Sequence, residues 1–181
     1  MTRYVAMDEF LDALEGFAAR GFDVQAVQTY LHETLILSSS LDRYVSYRAD
    51  RYTRNLVHKT EAFEILVICW EPGQMAPVHG HEGELCWARV ERGTLCFIDY
   101  RLVSEDPLVL EPTAEPLNAG VGHVDGPADI HAVENLKDSG ERAASLHVYS
   151  RPYPECDIYD LKKGERRRVR MVYDTMYGEP T

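Results

Sequence analysis

Residues 63–103, FEILVICWEPGQMAPVHGHEGELCWARVERGTLCFIDYRLV, decide the fold. Three runs rich in Val, Ile, Leu, Phe and Tyr stand out: FEILVICW (63–70), ELCWARVE (84–91) and TLCFIDYRLV (94–103). EPGQ (71–74) and ERG (91–93) punctuate them as turns. The pattern continues outward. SEDP (104–107), NAGVG (118–122) and VDGP (124–127) are further turn signals, and IHAVENL (130–136) and AASLHVYS (143–150) are further strand candidates. Many short strands with such spacing predict an all-β barrel or sandwich.

Upstream the pattern changes. Residues 7–38 read as helical. Phe10, Leu11, Leu14, Phe17 and Ala18 repeat at helical spacing, with Asp8 and Glu9 near the N-terminus and Gly21 as the stop. A second helix would place Val24, Val27, Tyr30, Leu31 and Leu35 on one face. Both are expected to be packing elements. No repeat, low-complexity tract or linker divides the chain, so residues 1–181 are read as one mainly β domain. Its N-terminal helices lie within 1–40 and its barrel within 44–177.

Composition narrows the function classes. The chain has 181 residues, 30 acidic against 19 basic, and a net charge of −11. That disfavours nucleic acid and anionic membranes as partners. No run approaches the roughly 18 apolar residues of a membrane span. The N-terminus shows no basic flank followed by an apolar run, so a cytoplasmic location is expected. The four cysteines, Cys69, Cys86, Cys96 and Cys156, form no C-x-x-C pair, which disfavours a zinc ribbon or a thioredoxin-like motif. Lys162, Lys163, Arg166, Arg167, Arg168 and Arg170 form the one basic cluster. It reads as the solvated side of a strand, with Val169, Met171 and Tyr173 facing inward.

Chemistry concentrates in the histidines. His79-Gly80-His81 places two imidazoles on one face of a strand, because residues i and i+2 point the same way. A third ligand must come from elsewhere, and His123, His131 and His147 are the candidates. Gly73, His79, His81, Cys86 and Gly93 follow one another at the spacing of the first cupin motif, and His131-Ala-Val-Glu-Asn135 resembles the second. Two positions depart from those motifs: Cys86 replaces the usual Glu ligand, and Ala128 stands where a glycine would sit. Three imidazoles with water is also a catalytic zinc arrangement, so spacing alone leaves the metal open.

A narrower family comes into view through YTRNLV (52–57), ILVICW (65–70), HGHEGELC (79–86), IHAVENL (130–136) and SLHVYSRPYPEC (145–156). Together they resemble cysteine dioxygenase over roughly Tyr44 to Tyr177. The resemblance implies a cupin barrel holding mononuclear Fe(II), which oxidises L-cysteine with O2 to the sulfinic acid, in a monomer. It places the iron ligands on His79, His81 and His131. It places a relay on Ser145, His147 and Tyr149, which alternate along one strand. The carboxylate-binding group falls on Arg54 with Tyr52 beside it, a role that suits a bidentate guanidinium. Cys156 and Met171 match pocket-lining positions. In animal-type members a cysteine at the position of Cys86 forms a thioether with the tyrosine matching Tyr149, so a Cys86–Tyr149 crosslink is expected as a protein-derived cofactor. Those members tend to have a histidine where this chain has Leu85, which is not expected to change the ligand set. The alternatives are a dioxygenase of another thiol acid, such as 3-mercaptopropionate, and a non-enzymatic cupin that binds a metal or small ligand.

Overall fold

The computed structural model describes residues 2–127 and 129–181. Ala128, the departure noted in the second motif, lies outside the described residues. The chain runs β1 (Arg3–Val5), α1 (Met7–Ala18), α2 (Val24–Glu33), β2 (Thr34–Ile36) and α3 (Ser38–Leu41). Then follow β3 (Thr53–Lys59), β4 (Glu64–Trp70), β5 (Met75–Gly80), β6 (Leu85–Arg92), β7 (Leu95–Glu105), β8 (Leu108–Pro112) and β9 (Leu117–Ala119). The last strands are β10 (Val124–Asp125), β11 (Ile130–Glu134), β12 (Ala143–Ser150), β13 (Glu155–Asp160), β14 (Glu165–Arg170), β15 (Thr175–Met176) and β16 (Glu179–Pro180).

Two seven-stranded sheets make the barrel. One has the order β10-β6-β12-β4-β3-β15-β16, and the other β14-β13-β5-β11-β7-β8 with β9 paired to β7. This is the mainly β, cupin-type barrel that the sequence predicts. No helix among the described residues is long and apolar enough to cross a membrane.

The central strands are buried on both faces. Every residue of β4 is buried. Leu66, Ile68 and Trp70 point into the barrel, while Ile65, Val67 and Cys69 point toward the helices. That explains why FEILVICW is apolar throughout and does not alternate. The outer side of β12, through Leu146 and Val148, joins the same helix-facing cluster as Phe10, Leu14, Val27 and Leu31. Each fully buried side chain of this size contributes about 1.5–3 kcal/mol. The helices therefore form the back wall of the strand that carries Ser145, His147 and Tyr149.

A buried ion pair ties this wall to the barrel. Arg89 of β6 donates to Glu91 at 2.6 Å, to the Leu31 carbonyl at 3.0 Å and to the Thr34 carbonyl at 2.7 Å. Its guanidinium also sits 5.1 Å from the centre of the Phe10 ring.

The second helix is shorter than periodicity predicts. It ends at Glu33, and Thr34–Ile36 forms β2, paired in parallel with β1. Leu35, expected on a helix face, is a strand residue. The cause is tertiary. Thr34 Oγ1 donates to the Tyr30 carbonyl at 2.6 Å, which closes the helix end, while Arg89 takes the Thr34 carbonyl. β1 itself carries no sequence signal strong enough to predict.

A bulge interrupts β5. His131 opposes His79 but Val133 opposes Ala76, so Pro77 and Val78 together face Ala132. Bulges re-aim side chains next to functional sites, and proline, lacking an N–H, fits such a position. Here the bulge lets Ala76 and His79, three residues apart, both face the barrel interior.

Candidate metal centre and substrate pocket

Antiparallel pairing of β5 and β11 sets His131 directly opposite His79. His81 follows two residues on, its backbone N–H donating to the Asp129 carbonyl at 3.0 Å. The three side chains each bring a ring nitrogen within 4.8 Å of the others. Ring centres lie 5.0, 4.8 and 4.7 Å apart.

The outer nitrogens of two rings are spoken for. His79 Nδ1–H donates to the Pro77 carbonyl at 2.8 Å, across the bulge. His131 Nδ1–H donates to Asp125 Oδ2 at 3.2 Å. Each bond fixes the tautomer and leaves Nε2 as the lone-pair nitrogen, the usual arrangement of a metal-binding histidine. His131 Nε2 is buried with no hydrogen-bond partner among the described residues. An uncompensated buried acceptor costs about 1–3 kcal/mol, which a bound cation would relieve. Burial first, then the charges that His131 and His81 would carry, push His79 well below the ordinary imidazole range. It is therefore neutral and free to ligate at pH 7. The residues present fit a metal ion.

Asp125 and Asp99 gather behind His131, with ligand atoms again within 4.8 Å. Burial, followed by the Asp125 charge, raises the Asp99 carboxyl above its ordinary value. Asp125 was not a sequence candidate. The only signal was an acidic residue six positions before His131, which has no distinctive spacing.

β12 aims Ser145, His147 and Tyr149 into the barrel together, as alternation predicts. Ser145 Oγ lies 2.9 Å from His147 Nε2, and Tyr149 Oη lies 3.2 Å from His147 Nδ1. Burial, then nearby His131 and Arg54, hold His147 well below the ordinary imidazole value, so it too is neutral. Trp70 of β4 extends the chain, its Nε1–H donating to Ser145 Oγ at 3.1 Å. In the sequence Trp70 reads only as the end of an apolar strand.

Cys86 of β6 is the direct register partner of Tyr149 on β12. Both are buried. Burial pushes the Cys86 thiol and the Tyr149 phenol well above their ordinary values. Leu85 packs with the helix-side cluster, away from the imidazoles.

The adjoining cavity measures about 190 Å³, below the roughly 300–1,000 Å³ of sites for drug-sized ligands. Arg54, Tyr52, Trp70, His79, Tyr149 and Cys156 line it together with Met171. Tyr52 stacks on Trp70 with ring centres 4.9 Å apart. Cys156 Sγ approaches Met171 Sδ at 3.3 Å.

Arg54 is the dominant charge. It is buried, its Nε has no hydrogen-bond partner, and no carboxylate lies within ion-pair distance among the described residues. Burial pulls its pKa down, but Tyr149, Tyr153, Tyr52 and Glu64 more than offset that, so it stays charged. Glu64 is itself engaged by Lys59 at 3.0 Å and by the Tyr173 hydroxyl at 2.6 Å.

Of the sequence-predicted residues, Arg54, Tyr52, His79, His147, Tyr149, Cys156 and Met171 line one cavity. His81 and His131 join His79 in the imidazole group, Ser145 contacts His147, and Cys86 lies opposite Tyr149. His123 stands apart as a third-ligand candidate, its ring packed against Phe97 at 5.5 Å. The basic cluster stays on the surface. Arg168 pairs with Glu82, Glu155 and Asp157, and Arg166 with Asp157 and Glu105.

Fold and site together define a cupin barrel with a three-imidazole centre able to hold a metal ion, opening on a small cationic cavity. A profile of the family described as cysteine dioxygenase type I matches residues 7–162. The chain belongs to that family of dioxygenases. It is 26% identical to cysteine dioxygenase type 1 of Rattus norvegicus over 167 residues, covering 91% of this chain and 83% of the relative. The enzyme of the same name from Homo sapiens is 27% identical over 172 residues, covering 90% and 82%. A solved structure from Klebsiella pneumoniae, an uncharacterized conserved protein with a double-stranded beta-helix domain, is 21% identical. That match has a TM-score of 0.47 and covers 62% of this chain and 82% of that one.

Proposed function

We propose that this protein is an iron(II)-dependent thiol dioxygenase that converts L-cysteine and O2 into L-cysteine sulfinic acid. The carrying observation is Arg54, a buried guanidinium that has no carboxylate partner among the described residues and lines the small cavity beside His79. A buried charge is normally paired, because leaving it alone is costly. The missing partner is then a carboxylate supplied by the substrate.

His79, His81 and His131 would hold Fe(II), which when bound supplies a Lewis-acidic, redox-active centre for the thiolate and O2. The remaining work belongs to the chain. Arg54 grips the substrate carboxylate and Tyr52, held by its stack on Trp70, closes one side. That fixes the distance between the carboxylate and the sulfur, converting encounter into positioning. Cys156 and Met171 supply a soft apolar wall next to the carbon chain. Tyr149 offers its hydroxyl to the carboxylate or to the reacting oxygen, steadied by His147 and Ser145. Both oxygen atoms end on sulfur. The thiol supplies all four electrons, so no external reductant is consumed.

The pairing of Cys86 with Tyr149 supports a thioether between them. Forming it removes the thiol hydrogen and one ring hydrogen, makes one C–S bond and sends two electrons and two protons to O2. A mature fraction lacking two hydrogens by intact mass, and lacking the Cys86 thiol, is expected. No such loss after many turnovers would remove the crosslink.

The deciding experiment is O2 consumption by the iron(II)-loaded protein with L-cysteine, 3-mercaptopropionate or cysteamine, with products identified. Preferred conversion of L-cysteine to its sulfinate is expected. Preference for 3-mercaptopropionate would keep the reaction and change the substrate. No turnover of any thiol at full iron loading would leave a metal-binding module.

A further inference from the structure

The relay strand lies against a donor whose polarity is fixed. Trp70 Nε1 can only donate, and it donates to Ser145 Oγ at 3.1 Å. Ser145 is fully buried, and His147 Nε2, at 2.9 Å, is the other partner of its hydroxyl. The serine proton cannot point at Trp70, where an N–H already points back. Pointing it anywhere but His147 would leave a buried donor unmade, at a cost comparable to a lost hydrogen bond. Ser145 therefore donates to His147 Nε2. A neutral imidazole carries one proton, so that proton sits on Nδ1 and faces Tyr149 Oη at 3.2 Å. The tyrosine oxygen then accepts from His147, and its own O–H is not spent on His147; the Cys86 sulfur and the Arg54 guanidinium are the other polar groups against it. Tyr149 lines the cavity beside Arg54.

We infer that Trp70 is a positioning residue that sets the direction of the whole chain, Trp70 to Ser145 to His147 to Tyr149, so that Tyr149 is a hydrogen-bond donor into the substrate cavity. Were the chain reversed, with Nε2–H donating to Ser145, Tyr149 would spend its proton on His147 Nδ1. It would then offer the substrate carboxylate only lone pairs, which repel it. Trp70 does a second job through its face, stacking on Tyr52. The two roles separate chemically. Phenylalanine keeps an aromatic face and loses the N–H.

The inference rests on the proposed function for its catalytic meaning, but its test does not require turnover. The full chain is labelled with 15N-histidine and loaded with zinc(II), which keeps the three imidazoles ligated and the spectra diamagnetic. The 15N resonances of His147 report which nitrogen is protonated. The wild type is expected to show the Nδ1–H form. Trp70→Phe is expected to populate the Nε2–H form, while Ser145→Thr, which keeps the hydroxyl, retains the wild-type tautomer. In the iron-loaded protein, Trp70→Phe should lower kcat about tenfold, the scale of one neutral hydrogen bond, with a smaller change in KM and unchanged iron content. A wild-type Nε2–H tautomer overturns the inference outright, even if the Trp70 variant fails to fold. An unchanged tautomer in a folded Trp70→Phe protein also overturns it. Absence of thiol turnover would count against the proposed function and leave the tautomer result standing.

Discussion

Two arginines are buried among the described residues, and they have opposite surroundings. Arg89 sits between the barrel and the helices, with Glu91, two backbone carbonyls and an aromatic face around it. Only its Nη2 has no partner. Arg54 sits inside the barrel with phenols nearby and no carboxylate within ion-pair distance among the described residues. The difference separates a group whose partners the fold supplies from one whose partner, under the proposed function, is a substrate carboxylate. Burial and charge are alike in both; the state of the partner list is what distinguishes them.

The comparison can be broken most directly at Arg89. Arg89→Ala leaves Glu91 buried and unpaired, and should cost about 3–5 kcal/mol of folding free energy, read by urea titration. A loss below about 1 kcal/mol would demote Arg89 to an incidental contact. Arg54→Met should do the reverse. Stability should hold or rise, because an unpaired buried charge is removed. Meanwhile kcat/KM for L-cysteine should fall by the equivalent of about 2–5 kcal/mol, the cost of deleting one side of a buried charge pair. Cysteamine, which has no carboxylate, should lose far less. Equal losses on both thiols would take Arg54 out of the carboxylate role.

Smaller effects sharpen the picture. Asp125→Ala should weaken iron(II) binding about 10–100-fold in a chelator competition, because His131 loses the acceptor that orients it. Unchanged affinity would make the 3.2 Å contact decorative. His147 gives a pH signature. Its folded pKa lies below its unfolded value of 6.5, so the unfolded chain takes up the proton first. The stability it contributes is complete above about pH 6.5 and is lost as pH falls through the depressed folded value. The melting temperature of the metal-free protein should drop on acidification, and His147→Gln should flatten that slope. At the small end, Arg168→Ala should change stability by no more than about 1 kcal/mol, since its ion pairs are solvent-exposed.

Much of this was legible in the sequence. Runs such as AASLHVYS match their strands because alternation and burial agree there. The imidazole group that could hold a metal was legible because His79 and His81 share a strand face and His131 heads a recognisable motif. Other features were hidden for physical reasons. Leu35 joined a strand because Arg89, more than fifty residues away, captures the Thr34 carbonyl. The bulge at Pro77 and Val78 breaks strict alternation, so a period of two mis-aims Ala76 relative to His79. Trp70 reaches Ser145, and Asp125 reaches His131, through a hydrogen bond between strands, and nothing local in the chain marks such bonds.

The double-sided burial of β4 and β12 has a consequence in time. Amide protons exchange with solvent only when a segment opens, and segments opening least often are those sealed on both faces. In deuterium exchange these two strands should be the last to label, behind β8, β14 and the chain ends. The relay from Trp70 to Tyr149 would therefore be carried on the slowest-opening part of the molecule. Its hydrogen bonds would outlast many openings of the surface around them.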